Sequence, residues 1–130
     1  MSFDELFEEA VKASERSYSK YSGFSVGAAL ITADGRLYTG CNIENSSYSL
    51  TNCAERTAVF KAVSDGYTKF SAIAVAGSGS GDFSKPCYPC GACLQVLSEF
   101  CEDDFTVVLS DGTHKLSDFL PMRFSEESMK

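Results

Sequence analysis

Apolar residues along the chain follow two periodicities. Phe3, Leu6, Phe7, Ala10 and Val11 recur at the spacing of one helix face, and Ser2 with Glu5 has the pattern of a capping box. This predicts a first helix that ends near Ser17 to Ser19. Ser25 to Thr32 and Leu37 to Ile43 are short apolar runs around Ala33-Asp34-Gly35-Arg36, which predicts an antiparallel hairpin. From Asn52 to about Ser64 helical spacing returns at Ala54, Ala58, Val59, Ala62 and Val63, and Asp65-Gly66 stops it. Phe70 to Gly77 reads as a buried strand and Ser78 to Asp82 as a loose stretch. Cys90 to about Phe100 follows as a helix with a cysteine-rich entry, then Thr106 to Ser110 as a strand. Asp111-Gly112 is a turn, and Leu116 to Leu120 a short closing helix before Pro121. Strands alternating with helices predict an α/β architecture, a layered sheet covered by helices. No repeat, linker or low-complexity tract interrupts the pattern, so residues 1–130 are expected to form one domain.

Composition narrows the class of partner. Of 130 residues, 44% are hydrophobic and 22% charged, an ordinary globular balance. Eleven Lys and Arg against eighteen Asp and Glu leave a net charge of −7. Such a surface repels phosphate backbones, and no basic patch offsets it, so no nucleic-acid partner is expected. No apolar run approaches the roughly 20 residues that span a bilayer, so no membrane partner is expected either. The first ten residues carry four carboxylates and no cation, unlike a secretory signal. A soluble, cytoplasmic protein is expected. In a reducing compartment, the six cysteines at 41, 53, 87, 90, 93 and 101 are candidates for metal ligands, nucleophiles or buried apolar residues rather than disulfides.

Chemistry concentrates in Asn52-Cys53-Ala54-Glu55-Arg56 and in Pro86-Cys87-Tyr88-Pro89-Cys90-Gly91-Ala92-Cys93-Leu94-Gln95. Each places cysteine at the start of a predicted helix, where unpaired N–H groups and the positive end of the dipole favour a thiolate. Cys-x-x-Cys puts two sulfurs one turn apart, a spacing suited to two ligands of tetrahedral zinc, and Cys53 can supply a third. Three protein ligands leave one position for water, as a catalytic zinc needs. Glu55, two residues beyond Cys53, can stand beside that water without binding the metal and move its protons. Two registers compete, Cys87/Cys90 and Cys90/Cys93. In the first, Pro89 lies between the ligands, removes an N–H and holds Tyr88 extended. In the second, Pro89 precedes a helix whose Leu94 and Leu97 face the core, so Cys90 and Cys93 are chosen. Cys87 is assigned to the loop, and Cys41 and Cys101 to the buried apolar set. His114 is expected to be exposed and not a ligand.

Cys or His, then Glu two residues on, then Pro-Cys-x-x-Cys is the general signature of zinc deaminases. Cys53-Ala54-Glu55-Arg56 and Pro89-Cys90-Gly91-Ala92-Cys93 resemble the small homotetrameric cytidine deaminases, in which all three zinc ligands are cysteines. The resemblance extends to Tyr21-Ser22-Gly23-Phe24-Ser25-Val26-Gly27-Ala28-Ala29, to Gly40-Cys41-Asn42-Ile43-Glu44-Asn45 and to Leu120-Pro121-Met122-Arg123-Phe124, so it covers nearly the whole chain. It implies a layered sandwich with a central mixed β-sheet and helices on its faces. It further implies one zinc per chain on Cys53, Cys90 and Cys93, with Glu55 as the proton shuttle. Phe24 would stack on the pyrimidine, Asn42 and Glu44 would hydrogen-bond the ribose, and Ala54 would offer backbone groups to the base. Arg56 would hydrogen-bond the thiolates, offsetting the net negative charge of a zinc with three thiolates. Tyr48 and Phe124 would reach into the site of a neighbouring subunit of a homotetramer. The implied reaction is deamination of cytidine and 2′-deoxycytidine to the uridine products with release of ammonia, a step of pyrimidine salvage. The chain departs from the family pattern at Leu94, where Arg commonly follows the last ligand. It departs again at Lys20, in the short segment between Thr106 and Leu120, and in the extra Cys87.

Two other readings use the same residues. A structural zinc module wants four ligands and so would recruit Cys41 or Cys87, and it leaves Glu55 without a role. A deaminase of another cytosine-bearing molecule, such as a nucleoside antibiotic, would share the fold, but Asn42 with Glu44 favours a plain ribose.

Overall fold

The computed structural model describes all of residues 1–130. Helix α1 (Phe3–Ser14) opens with the expected capping box: the Glu5 N–H donates to Ser2 Oγ and the Ser2 N–H to Glu5 Oε1. It stops short of the predicted end. The N–H groups of Glu15, Arg16 and Ser17 bond three residues back, and the Tyr18 N–H then donates to the Asn42 carbonyl, which draws the chain out of the helix. Strands β1 (Ser25–Thr32) and β2 (Leu37–Cys41) form the expected hairpin. Ile43 lies beyond β2 and makes isolated bridges to Tyr18 and Asn52 instead. Helix α2 (Ala54–Ser64), strand β3 (Phe70–Ser78) and helix α3 (Gly91–Phe100) follow as predicted, within a residue or two. Strand β4 (Thr106–Leu109) is followed by a strand the sequence pattern did not predict, β5 (Gly112–Lys115), before the short helix α4 (Leu116–Phe119).

The strands form one sheet in the order β2-β1-β3-β4-β5. Only β3 and β4 run parallel, joined through α3, and every other pair is antiparallel, so the sheet is mixed as expected. Alternation along the strands divides the core between the two faces. Ala29, Ala72, Ala74, Ala76 and Val108 meet Leu6 and Ala10 of α1 on one face. On the other, Ala28, Leu30, Ile73, Val75 and Val107 meet Ala58, Val59 and Ala62 of α2 and Leu94 and Leu97 of α3. Small residues let α2 lie very close to the sheet. A Cβ on Gly40 of β2 would stand 2.5 Å from the Ala54 carbonyl oxygen and 2.6 Å from the Ala58 nitrogen. The first turn of α2 is thereby pressed onto the edge of the sheet, and with it Cys53 and Glu55.

Candidate active site

Cys53 is the N-cap of α2, and Cys90 the N-cap of α3, with Cys93 in the first turn of α3. Neither sulfur makes a capping bond to its own helix, and both stand at helix starts that carry unpaired N–H groups. The two starts converge. Cys53 Sγ lies 3.8 Å from Cys90 Sγ, and Cys90 Sγ 3.6 Å from Cys93 Sγ. All three sulfurs lie within 4.8 Å of one another. Tetrahedral zinc, with Zn–S near 2.3 Å, places its sulfurs about 3.8 Å apart. The donor set and its spacing therefore fit zinc. The sulfurs brought together are those of Cys53, Cys90 and Cys93, and Cys87 is outside this cluster.

Electrostatics agree with thiolate character at this point. Hydrogen bonding with Cys93 pulls the Cys53 thiol down to about 5, with Arg56 and Cys90 adding to the effect. Cys93, the partner that keeps its proton, is driven upward. Arg56 Nη2 donates to Cys53 Sγ at 3.2 Å, as the resemblance implied, and its Nε is buried without a partner. Glu55 is only 4% exposed. Burial first, and the Cys53 charge next among the causes that raise it, push its carboxyl up to about 7. A carboxyl poised there both accepts and returns a proton near neutral pH.

The remaining predicted residues divide by what they already hold. Asn42 is buried, and its amide serves the fold: Oδ1 accepts from Ser17 Oγ and the Val26 N–H, and Nδ2 donates to the Phe24 carbonyl at 2.9 Å. One N–H is left over. Glu44 accepts from the backbone N–H groups of Tyr21 and Ser22 and from Ser22 Oγ, which holds its carboxyl below the ordinary range. Together they pin the loop before β1, and Phe24 emerges from it 42% exposed. Ala54 is fully buried at the first position of α2. Tyr48 and Phe124 are 72% and 58% exposed, facing away from their own core. Cys101 is buried in the core as expected, whereas Cys41 is only half-buried. His114 is half-buried rather than exposed, with Nε2 2.8 Å from Asp111 Oδ1 and its ring against Phe119, and it is outside the sulfur cluster.

The sequence pattern did not single out Gly77 or Thr57. Thr57 Oγ1 accepts from Asn52 Nδ2 and donates to the Cys53 carbonyl, bracing the turn that carries the ligand. An Asn five residues before a Thr is too common a pair to signal this.

The profile of the cytidine and deoxycytidylate deaminase zinc-binding region matches residues 1–109. A cytidine deaminase of Sporosarcina psychrophila is 48% identical over 134 aligned positions, which cover 99% of this chain and 96% of that one. That of Halalkalibacterium halodurans is 47% identical over 129 positions, 95% of each chain. The crystal structure of cytidine deaminase from Burkholderia pseudomallei superposes with a TM-score of 0.86 at 45% identity, over 95% of this chain and all of that one. A match of this extent, on a chain whose three sulfurs meet at zinc-ligand spacing, establishes that the protein belongs to the zinc-binding cytidine and deoxycytidylate deaminase family.

Proposed function

We propose that the protein hydrolyses cytidine and 2′-deoxycytidine to uridine and 2′-deoxyuridine, releasing ammonia. The observation that carries this reading is the buried Glu55 carboxyl standing at the same helix start as the three-sulfur cluster. When bound to Cys53, Cys90 and Cys93, one zinc per chain supplies the activation of water. Glu55 takes the protons of the water that attacks C4 of the base, passing one to N3 and one to the departing amino nitrogen. Oxygen replaces nitrogen at C4, and the balance closes with ammonia as the only other product. Arg56 holds the Cys53 sulfur and offsets thiolate charge.

Phe24 offers the open face of its ring to the pyrimidine, and Ala54 its backbone groups at the start of α2. The spare N–H of Asn42 and the remaining lone pairs of Glu44 suit the ribose hydroxyls. A neutral nucleoside needs no cation for this, in keeping with the acidic chain. The exposed Tyr48 and Phe124 support a homotetramer in which each completes a neighbour's site, with Phe124 closing over the base. Residues 1–130 act as one domain, and pyrimidine salvage in the cytoplasm is the proposed setting. No helix is long and apolar enough to cross a membrane. The test is purified zinc-loaded protein with cytidine and with deoxycytidine, followed by loss of ultraviolet absorbance and release of ammonia. Turnover of either supports the reading, and turnover of neither overturns it.

A further inference from the structure

Phe24 is pinned through its backbone: its N–H donates to Ser22 Oγ and its carbonyl accepts from Asn42 Nδ2. Those bonds place its Cα but leave the tilt of the ring to whatever the ring leans on. What it leans on is the end of β3. A Cβ built on Gly77 would lie 2.9 Å from Phe24 Cε2, and one built on Gly79 would lie 3.7 Å from Phe24 Cδ1. The same point above Gly77 is 2.7 Å from Cys87 Sγ and 3.1 Å from Cys87 Cβ. The ring edge and the Cys87 side chain thus share one small space, kept open only because residue 77 has no side chain.

Cys87 is half-buried and packs against the core cluster beneath α2 and α3. Burial pushes its thiol up to about 11, so at neutral pH it is an uncharged, polarisable group, and sulfur of that kind packs well against aromatic rings. We propose that Gly77 and Cys87 form a seat that fixes the tilt of Phe24, making them positioning residues that set the affinity for the pyrimidine base. This rests on the reading of Phe24 as the stacking surface. Neither residue touches the reacting atoms. A base stacked equally in ground state and transition state contributes to KM and leaves kcat nearly unchanged.

The fit is one of volume, so the test is a compensation experiment with zinc-loaded wild type, Gly77→Ala, Cys87→Ala and the double variant. KM and kcat for cytidine, the inhibition constant of uridine and the zinc content are measured on each. Gly77→Ala pushes the ring and the sulfur off their shared space. It is expected to raise KM and the uridine constant together by about tenfold, with kcat within about threefold and zinc retained, a loss of part of one base-stacking contact. Adding Cys87→Ala removes the sulfur that the new methyl meets, so the double variant is expected to recover at least about threefold in KM over Gly77→Ala. Cys87→Ala alone withdraws support from the ring and is expected to raise KM by about threefold. An unchanged KM in Gly77→Ala, or single effects that simply multiply in the double variant, overturns the proposal. If Gly77→Ala does not fold, Cys87→Ala decides: a raised KM with a raised uridine constant upholds the seat, and no change overturns it. Wild type that turns over cytidine while the variants keep its KM overturns the seat alone. Wild type without turnover overturns the activity as well.

Discussion

At the scale of single residues, the site depends on groups whose surroundings alter their ordinary chemistry. Glu55 is a carboxylate by sequence and close to half-protonated near neutral pH by burial. Glu55→Gln keeps the shape of the side chain and removes the proton, so the variant is expected to fold and hold zinc while losing about 10²–10⁴-fold in kcat. Steady-state kinetics beside metal analysis checks both halves. Glu44 shifts the other way, held low by the Ser22 hydroxyl and by the Tyr21 and Ser22 N–H groups. A carboxylate with a depressed folded-state value stabilises the fold at pH above its unfolded value and loses that effect as pH falls through the folded one. The loop carrying Phe24 is therefore expected to loosen below about pH 4.5, seen as faster exchange of the Tyr21 and Ser22 amides. The sequence pointed to Cys53, Glu55, Cys90 and Cys93 through local signals: cysteines at predicted helix starts, the Cys-x-x-Cys spacing and the resemblance to zinc deaminases. It did not reveal how fully Asn42 is engaged, because its partners Ser17, Phe24 and Val26 stand 16 to 25 residues away.

Among the elements, the interface between α2 and β2 is the one on which the site rests. The carbonyl of Ala54 and the nitrogen of Ala58 face Gly40 so closely that a methyl there meets backbone, which cannot turn aside. Gly40→Ala is expected to lift the first turn of α2, destabilising the protein by about 1–3 kcal/mol. The same shift moves Cys53 and Glu55 relative to α3, so kcat should fall as well. Urea unfolding and kinetics on one preparation measure the two together. Elements with strong local patterns were legible: the capping box of α1, the hairpin around Gly35, and the helix starts at Cys53 and Cys90. Strand β5 was not, because Gly112-Thr-His-Lys has no apolar face and forms only through its ladder with β4. The end of α1 was misplaced for a related reason. The bond from Tyr18 to Asn42 that ends it joins residues far apart in the chain.

For the whole molecule, the proposed tetramer bears directly on the reaction. A single chain leaves Phe24, Tyr48 and Phe124 open to solvent, and in the proposed tetramer a neighbour's Tyr48 and Phe124 would cover the base. Specific activity is expected to fall on dilution in step with dissociation followed by sedimentation. An active monomer would show that one chain closes the site unaided. The convergence of the two helix starts has a consequence of a different kind. Cys53 and Cys90 lie 37 residues apart, separated by α2, β3 and the following loop. A metal bonded to both would be a cross-link as well as a reagent, closing a loop in the unfolded chain as a disulfide does. A closure of that length corresponds to roughly 3–5 kcal/mol of stabilisation in the chain-entropy account. Stripping the metal with a chelator is therefore expected to lower the melting temperature as well as abolish turnover, both returning on adding zinc, as calorimetry and an activity assay on the same sample would record. The ion that makes the chemistry possible would then also be a staple holding α2 to α3, so the enzyme could not lose its catalyst and keep its full resistance to heat.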